Sequence, residues 1–186
     1  MRRFGFVVLL ATGLSYTGAA AAKSLLDLPG EDHCTNTGGV VQTRIPTYGT
    51  NGGSGLALDY PQKFCEYTSS DGTTHIDLLI ATLIAHQPTL AVLAYYAQVP
   101  FNSSACTGGA GPGSCYCTQL GGTDEFGGVN AAGGGWVLST DNTNVLDACI
   151  FPDLSSIDAY GLFYHSAGIV RGKDLSKVLR YKNPNG

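Results

Sequence analysis

Cys34-Thr35-Asn36-Thr37-Gly38-Gly39 recurs later in the chain as Cys117-Thr118-Gln119-Leu120-Gly121-Gly122. Each copy is followed by a second cysteine at nearly the same distance, Cys65 thirty-one residues and Cys149 thirty-two residues after the first. A period of this kind marks an internal duplication. Between the paired cysteines lie glycine pairs, Gly52-Gly53 and Gly133-Gly134, and after them an Ile-Asp step, Ile76-Asp77 and Ile157-Asp158. Each unit closes on tyrosine and proline, Tyr96 to Pro100 and Tyr181 to Pro184.

Local chemistry around this frame sets the expected elements. Pro29 to Thr37 reads as a short helical turn stopped by Gly38-Gly39, because glycine enters the left-handed conformation at little cost; Gly121-Gly122 does the same in the second copy. Val40 to Ile45, Lys63 to Tyr67, Trp136 to Thr140 and Val145 to Phe151 are β-branched or alternating and read as strands. Ile76, Leu79, Ile80, Leu83 and Ile84 have helical spacing, with Thr73 or Thr74 as cap. Pro88 opens a second helix through Leu90, Leu93 and Tyr96. Ser155 or Ser156 caps one through Ile157, Tyr160 and Tyr164, and Asp174 caps a last one bearing Leu175, Val178 and Leu179. The expected fold class is α+β, built as two tandem disulfide-stapled repeats, each a short helical turn, a β-hairpin and a helix. The boundaries are 1–22 signal peptide, 23–100 first repeat, 101–116 Gly/Ser-rich linker loop and 117–186 second repeat.

The first 22 residues set the expected compartment. Arg2-Arg3 is a basic start, Phe6 to Ala11 an apolar core and Ala20-Ala21-Ala22 a small-residue cleavage site, the order of an export signal. The arginine pair lacks the polar flanks of a twin-arginine signal. In a secreted or periplasmic compartment the six cysteines read as three disulfides. The repeat favours Cys34 with Cys65 and Cys117 with Cys149, leaving Cys106 with Cys115; an exchange of Cys115 for Cys117 is the open alternative. Cleavage after Ala22 removes Arg2 and Arg3 and leaves eight basic against fourteen acidic residues, a net of −6. That charge, without a basic stripe, argues against nucleic-acid binding and against attraction to anionic lipid. The apolar run Leu78 to Ala97 carries His86, Gln87 and Pro88 at its centre, so it reads as a core helical pair rather than a membrane span.

From Cys115 to about Gly168 the chain resembles a family of small exported domains of unknown function that carries a hemolysin label. Their pattern is Tyr-Cys-x-x-x-Gly-Gly followed by Cys-x-Phe-Pro-Asp-Gly-Ser-x-Cys-Asp-x-Trp and a final cysteine. Tyr116-Cys117-Thr118-Gln119-Leu120-Gly121-Gly122 and Cys149-Ile150-Phe151-Pro152-Asp153 fit it, with Ser155 and Asp158 in register. Leu154, Ile157, Tyr160 and Ala167 stand where that family has glycine, cysteine, tryptophan and the last cysteine. The family supplies no catalytic residues to carry over. The acidic charge and the lack of a basic amphipathic helix argue against lysis.

No reaction is spelled out in the sequence. Ser155, Asp158 and His165 lie close together, but the nucleophile elbow Gly-x-Ser-x-Gly is missing, and Ser155 and Asp158 read more simply as helix-start residues. His75-x-Asp77, His33 and His86 do not have metal-binding spacing, so neither a metal nor a cofactor is expected. His165 reads as a hydrogen-bonded histidine among aromatics. Asn102-Ser103-Ser104 is a glycosylation sequon in the linker. The resulting expectation is an exported binding or envelope-structural protein without turnover, with an unknown protein or glycan partner. Its binding residues would be Trp136, Gly133, Gly134, Gly52 and Gly53 at glycine-rich hairpin tips, together with the Cys106 to Cys115 loop. A secreted inhibitor or toxin-like effector and an extracellular hydrolase are the alternatives; the hydrolase would need a polar cleft with at least two convergent titratable groups.

Overall fold

Each Cys-Thr-x-x-Gly-Gly segment ends a helix and turns the chain onto the sheet. In the computed structural model, which describes residues 29–52, 55–58, 60–106, 110–124 and 131–184, helix α1 (Pro29–Asn36) runs into Gly38 at φ 85°, and α4 (Pro112–Gln119) into Gly121 at φ 85°. The next glycine is needed for space. A Cβ on Gly39 would lie 2.4 Å from the Cys65 sulfur and 2.8 Å from that of Cys34, and one on Gly122 would lie 2.5 Å from Cys149 and 2.9 Å from Cys117. The Gly39 N–H donates to Cys34 O at 2.8 Å and the Gly122 N–H to Cys117 O at 2.9 Å. The three bridges join Cys34 to Cys65, Cys106 to Cys115 and Cys117 to Cys149, with Cα separations of 5.8, 5.3 and 5.4 Å. The repeat frame had favoured this pairing. Each of the two long bridges contributes about 3 to 4 kcal/mol on the chain-entropy account. The expected signal segment, 1–22, lies outside the described residues.

The strands are β1 (Val40–Tyr48), β2 (Leu56–Ala57), β3 (Gln62–Thr68), β4 (His75–Leu79), β5 (Gly134–Leu138), β6 (Asp141–Leu146), β7 (Ala148–Ile150) and β8 (Ser156–Asp158). They form one antiparallel sheet in the order β6-β5-β1-β3-β4-β8-β7, with β2 paired to the end of β1. The outermost strands, β6 and β7, are separated in the chain by Asp147 alone. Leu146 and Ala148 are therefore within about 7 Å of each other, and the sheet curls until its two edges meet.

The remaining helices, α2 (Ile80–Leu83), α3 (Leu90–Ala97) and α5 (Ala159–Ser166), join α1 and α4 on the outer face. There the main core forms around Tyr67, Ile76, Leu78, Tyr95, Tyr116, Ile157 and Leu162, with two of the disulfides in it. No helix among the described residues is long and apolar enough to cross a membrane. The three disulfides fit an exported chain.

Several expected boundaries move. His75–Leu79 is a strand, not the start of a helix, because Ile76 and Leu78 also satisfy a period of two and pair with Tyr67 and Cys65 on the neighbouring strand. Thr73 and Thr74 sit in the turn before it: Asp71 accepts from the Thr73 N–H and Ser69 from the Thr74 N–H. Likewise Ser156–Asp158 is a strand, and Asp158, rather than Ser155 or Ser156, caps α5 by accepting from the Tyr160 N–H. The segment expected as a linker, 101–116, already belongs to α4 from Pro112 onward, proline being well suited to a helix's first turn. The hairpin β5-β6 pairs with β1, in the first half of the chain, so the two halves share one sheet.

Candidate functional site

Alternation along the strands sorts the inner face of the curled sheet into two compartments. Phe64, Trp136, Leu146 and Ala148 fill one, with Leu79 and Ile150 against them. Gln42, Arg44, Glu66, Asp77 and Asp158 occupy the other. Trp136 does not stand at an exposed hairpin tip. It lies mid-strand, 9% exposed, with its ring 5.1 Å from that of Phe64. It also lines an apolar hollow of about 370 Å³ with Pro46, Leu58 and Leu154. The glycine segments do meet: Gly49 N–H donates to Gly133 O and Asn51 N–H to Ala132 O. Gly133 and Gly134 are buried there and Gly52 is exposed, while Gly53 lies outside the described residues. The Cys106–Cys115 bridge ties residue 106 to the first turn of α4.

The polar compartment is organised by Arg44, which is 1% exposed. Its Nε donates to Gln42 Oε1 at 2.9 Å, and Nη1 donates to Trp136 O at 3.1 Å and Asn144 Oδ1 at 3.0 Å. Nη2 lies 3.6 Å from Asp77 Oδ1. Gln42 in turn donates to Glu66 Oε2 at 2.8 Å. Asp77 is fully buried, and neither of its carboxylate oxygens has a hydrogen-bond partner. Burial pushes its pKa up to about 8 against the pull of Arg44, with the nearby charges of Asp158 and Glu66 adding to the rise. Asp158, also buried, is raised chiefly by desolvation, which outweighs its backbone hydrogen bonds and the attraction of Arg171 and His75. A cleft of about 190 Å³ reaches Arg44 and Asp158 and is rimmed by His75, Asn144, Asp147, Tyr160 and Arg171.

The structure disperses the other combinations that the sequence suggested. Ser155 donates to Asp153 and accepts from the Ala91 N–H, which ties the loop before β8 to α3. His165 stacks on Tyr95 with ring centroids 3.8 Å apart, so it joins neither Ser155 nor Asp158 in a triad. His33 contacts Val178 O at 2.7 Å and His86 is exposed, so neither reaches His75. Sequence reasoning did not single out Arg44, Glu66, Asn144 or Arg171. Its available signal was a polar residue at every second position of strands that otherwise bury apolar groups: Gln42-x-Arg44 and His75-x-Asp77.

The chain matches no family model, no curated protein and no solved structure.

Proposed function

We propose that this is an exported, disulfide-stapled binding protein that works without turnover, and that its recognition centre is the polar mouth of the curled sheet rather than the glycine-rich tips. The carrying observation is the buried Arg44–Asp77 pair, whose arginine lines an open cleft. Apolar residues of similar volume would stabilise such a position as well or better, so stability alone does not account for the pair. A cleft of about 190 Å³ fits a small polar ligand or one terminal unit of a glycan or peptide. Arg171 and Tyr160 stand at its rim to meet it. The matched geometry of the two cysteine corners supports an origin by duplication, after which the second hairpin paired across to the first half. The hemolysin-labelled resemblance of residues 115–168 supports an exported domain of this size and adds no activity.

A panel of monosaccharides, amino acids and short glycans, titrated by calorimetry and by chemical-shift mapping, tests the reading. Binding should map to His75, Asn144 and Tyr160, and Arg171→Ala should weaken it at least tenfold. Binding that maps to residues 49–52 and 131–134 instead would move the recognition centre back to the tips.

One observation favours a hydrolase as the second reading. Asp77, held protonated near neutral pH beside a second buried carboxyl, has the properties of a general acid. Product release from a bound glycan or peptide that disappears in a folded Asp77→Asn variant would replace binding with catalysis.

A further inference from the structure

We infer that Glu66, His75 and Asp77 form a site for one divalent transition-metal cation. The inference goes beyond the proposed recognition role and does not depend on what the cleft captures. Glu66 and Asp77 are directly opposed across the β3–β4 ladder, and His75 lies two residues before Asp77, so all three side chains share the inner face. One ligand atom from each lies within 4.8 Å of the other two, and His75 Nε2 is 3.9 Å from Asp77 Oδ2. Coordination bonds of about 2.0 to 2.2 Å would close this set by less than about 1 Å. His75, 48% exposed, is free to swing by that amount.

The second observation is independent of the spacing. Asp77 is fully buried with both carboxylate oxygens lacking a hydrogen bond, an arrangement that costs folding free energy and calls for a partner. Oδ1 faces Arg44 and Oδ2 faces His75, so a cation on the His75 side supplies what Oδ2 lacks without displacing the arginine. The surroundings also fit. Gln42 donates to Glu66 Oε2 and accepts from Arg44, which orients the Glu66 carboxylate and leaves Oε1 for the ion, as outer partners of metal ligands do. Metal ligation takes the deprotonated form of each carboxyl, so a bound dication displaces any proton from Asp77. One imidazole with two carboxylates selects Zn²⁺ or Mn²⁺ over Mg²⁺, and with only three protein ligands further positions are left for water or a ligand, His75 itself lining the cleft.

The test uses the full disulfide-bonded chain, stripped with chelator and titrated by calorimetry with Zn²⁺, Mn²⁺, Ca²⁺ and Mg²⁺ separately. One equivalent of Zn²⁺ or Mn²⁺ should bind at least tenfold more tightly than Mg²⁺ and, at a hundredfold excess over Kd, raise the thermal midpoint by about 5 to 11 °C. Asp77→Asn should abolish the site, and Glu66→Gln and His75→Ala should each weaken it at least tenfold, whereas His86→Ala should leave it unchanged. His75→Ala removes an exposed side chain, so it keeps the test decisive if a change at buried Asp77 prevents folding. Absence of one-to-one binding, or binding unchanged in folded His75→Ala, overturns the assignment.

Discussion

The two faces of the sheet are built from the same strands and do opposite things with their polar groups. On the outer face two disulfides and five helices enclose aromatic and aliphatic side chains, and the polar atoms found there are largely tied down: Tyr67 Oη to Thr37, Tyr116 Oη to Val99 O, and Thr82 Oγ1 to the Ser156 N–H. The inner face holds a buried arginine and two buried carboxyls, one of them without a single hydrogen bond, under an opening to solvent. A polar group placed only to hold the fold would find its partners within it, as those of the outer face largely do and Asp77 does not.

The largest expected effect lies on the inner face and is asymmetric. Arg44→Met removes three hydrogen bonds and leaves Gln42, Asn144 and the Trp136 carbonyl short of a donor, so it should cost about 3 kcal/mol or more. Asp77→Asn gives up only the contact with Arg44 at 3.6 Å and introduces an amide that can donate, so its cost should be about 1 kcal/mol or less. Urea unfolding with the disulfides intact and chelator present measures both. Equal costs would mean that the pair serves the fold as an ordinary ion pair, and the contrast between the faces would collapse.

A middle-sized effect sharpens the outer face. Gly39→Ala and Gly122→Ala each drive a methyl into a disulfide sulfur, at 2.4 and 2.5 Å, and each should cost about 1 to 3 kcal/mol. Gly52→Ala, with nothing within 4 Å and no left-handed backbone to strain, should be within about 0.5 kcal/mol of the parent. A large cost at one corner and none at the other would show that the two cysteine corners are not equivalent.

How much of this was legible depended on whether the cause was local. The helix stops at Gly38 and Gly121, the cap at Asp174 and the start of α3 after Pro88 follow from residue chemistry within a few positions, and the structure contains them. The helical reading of Ile76 to Ile84 holds for Ile80–Leu83 and fails for Ile76 to Leu79, because Ile76, Leu78 and Ile80 also fit a period of two and only the neighbouring strand β3 decides between the repeats. The site was hidden for a related reason. Arg44, Glu66 and Asp77 come from three strands, and the partner that Glu66 finds in Asp77 is set by ladder register, which no spacing along the chain encodes. Trp136 was placed at a tip from the glycines before it, yet Gly134 and Gly135 are themselves strand residues paired with β1.

The smallest effect concerns His165, on the helix α5. His165 stacks on Tyr95, its Nε2 lies 3.0 Å from the Gln98 side-chain amide, and its buried Nδ1 has no hydrogen-bond partner. Burial lowers its pKa, more than the charge of Asp174 and the backbone contact at Tyr95 raise it. A histidine whose folded pKa lies below its unfolded value binds fewer protons in the native state, so stability rises with pH across that window. It should therefore be fully present above about pH 6.5, the unfolded value, and decline as the pH falls below it, before the carboxylates lowered in the fold, Asp153 and Asp174, begin to titrate. His165→Phe keeps a ring against Tyr95 and removes the titration, so the urea midpoint of the parent should fall relative to that of the variant on acidification from pH 7.5 to 5. A parent that gains stability over that interval, or a variant with the same slope, would show that His165 is charged in the folded state and that the outer layer tolerates a buried imidazolium.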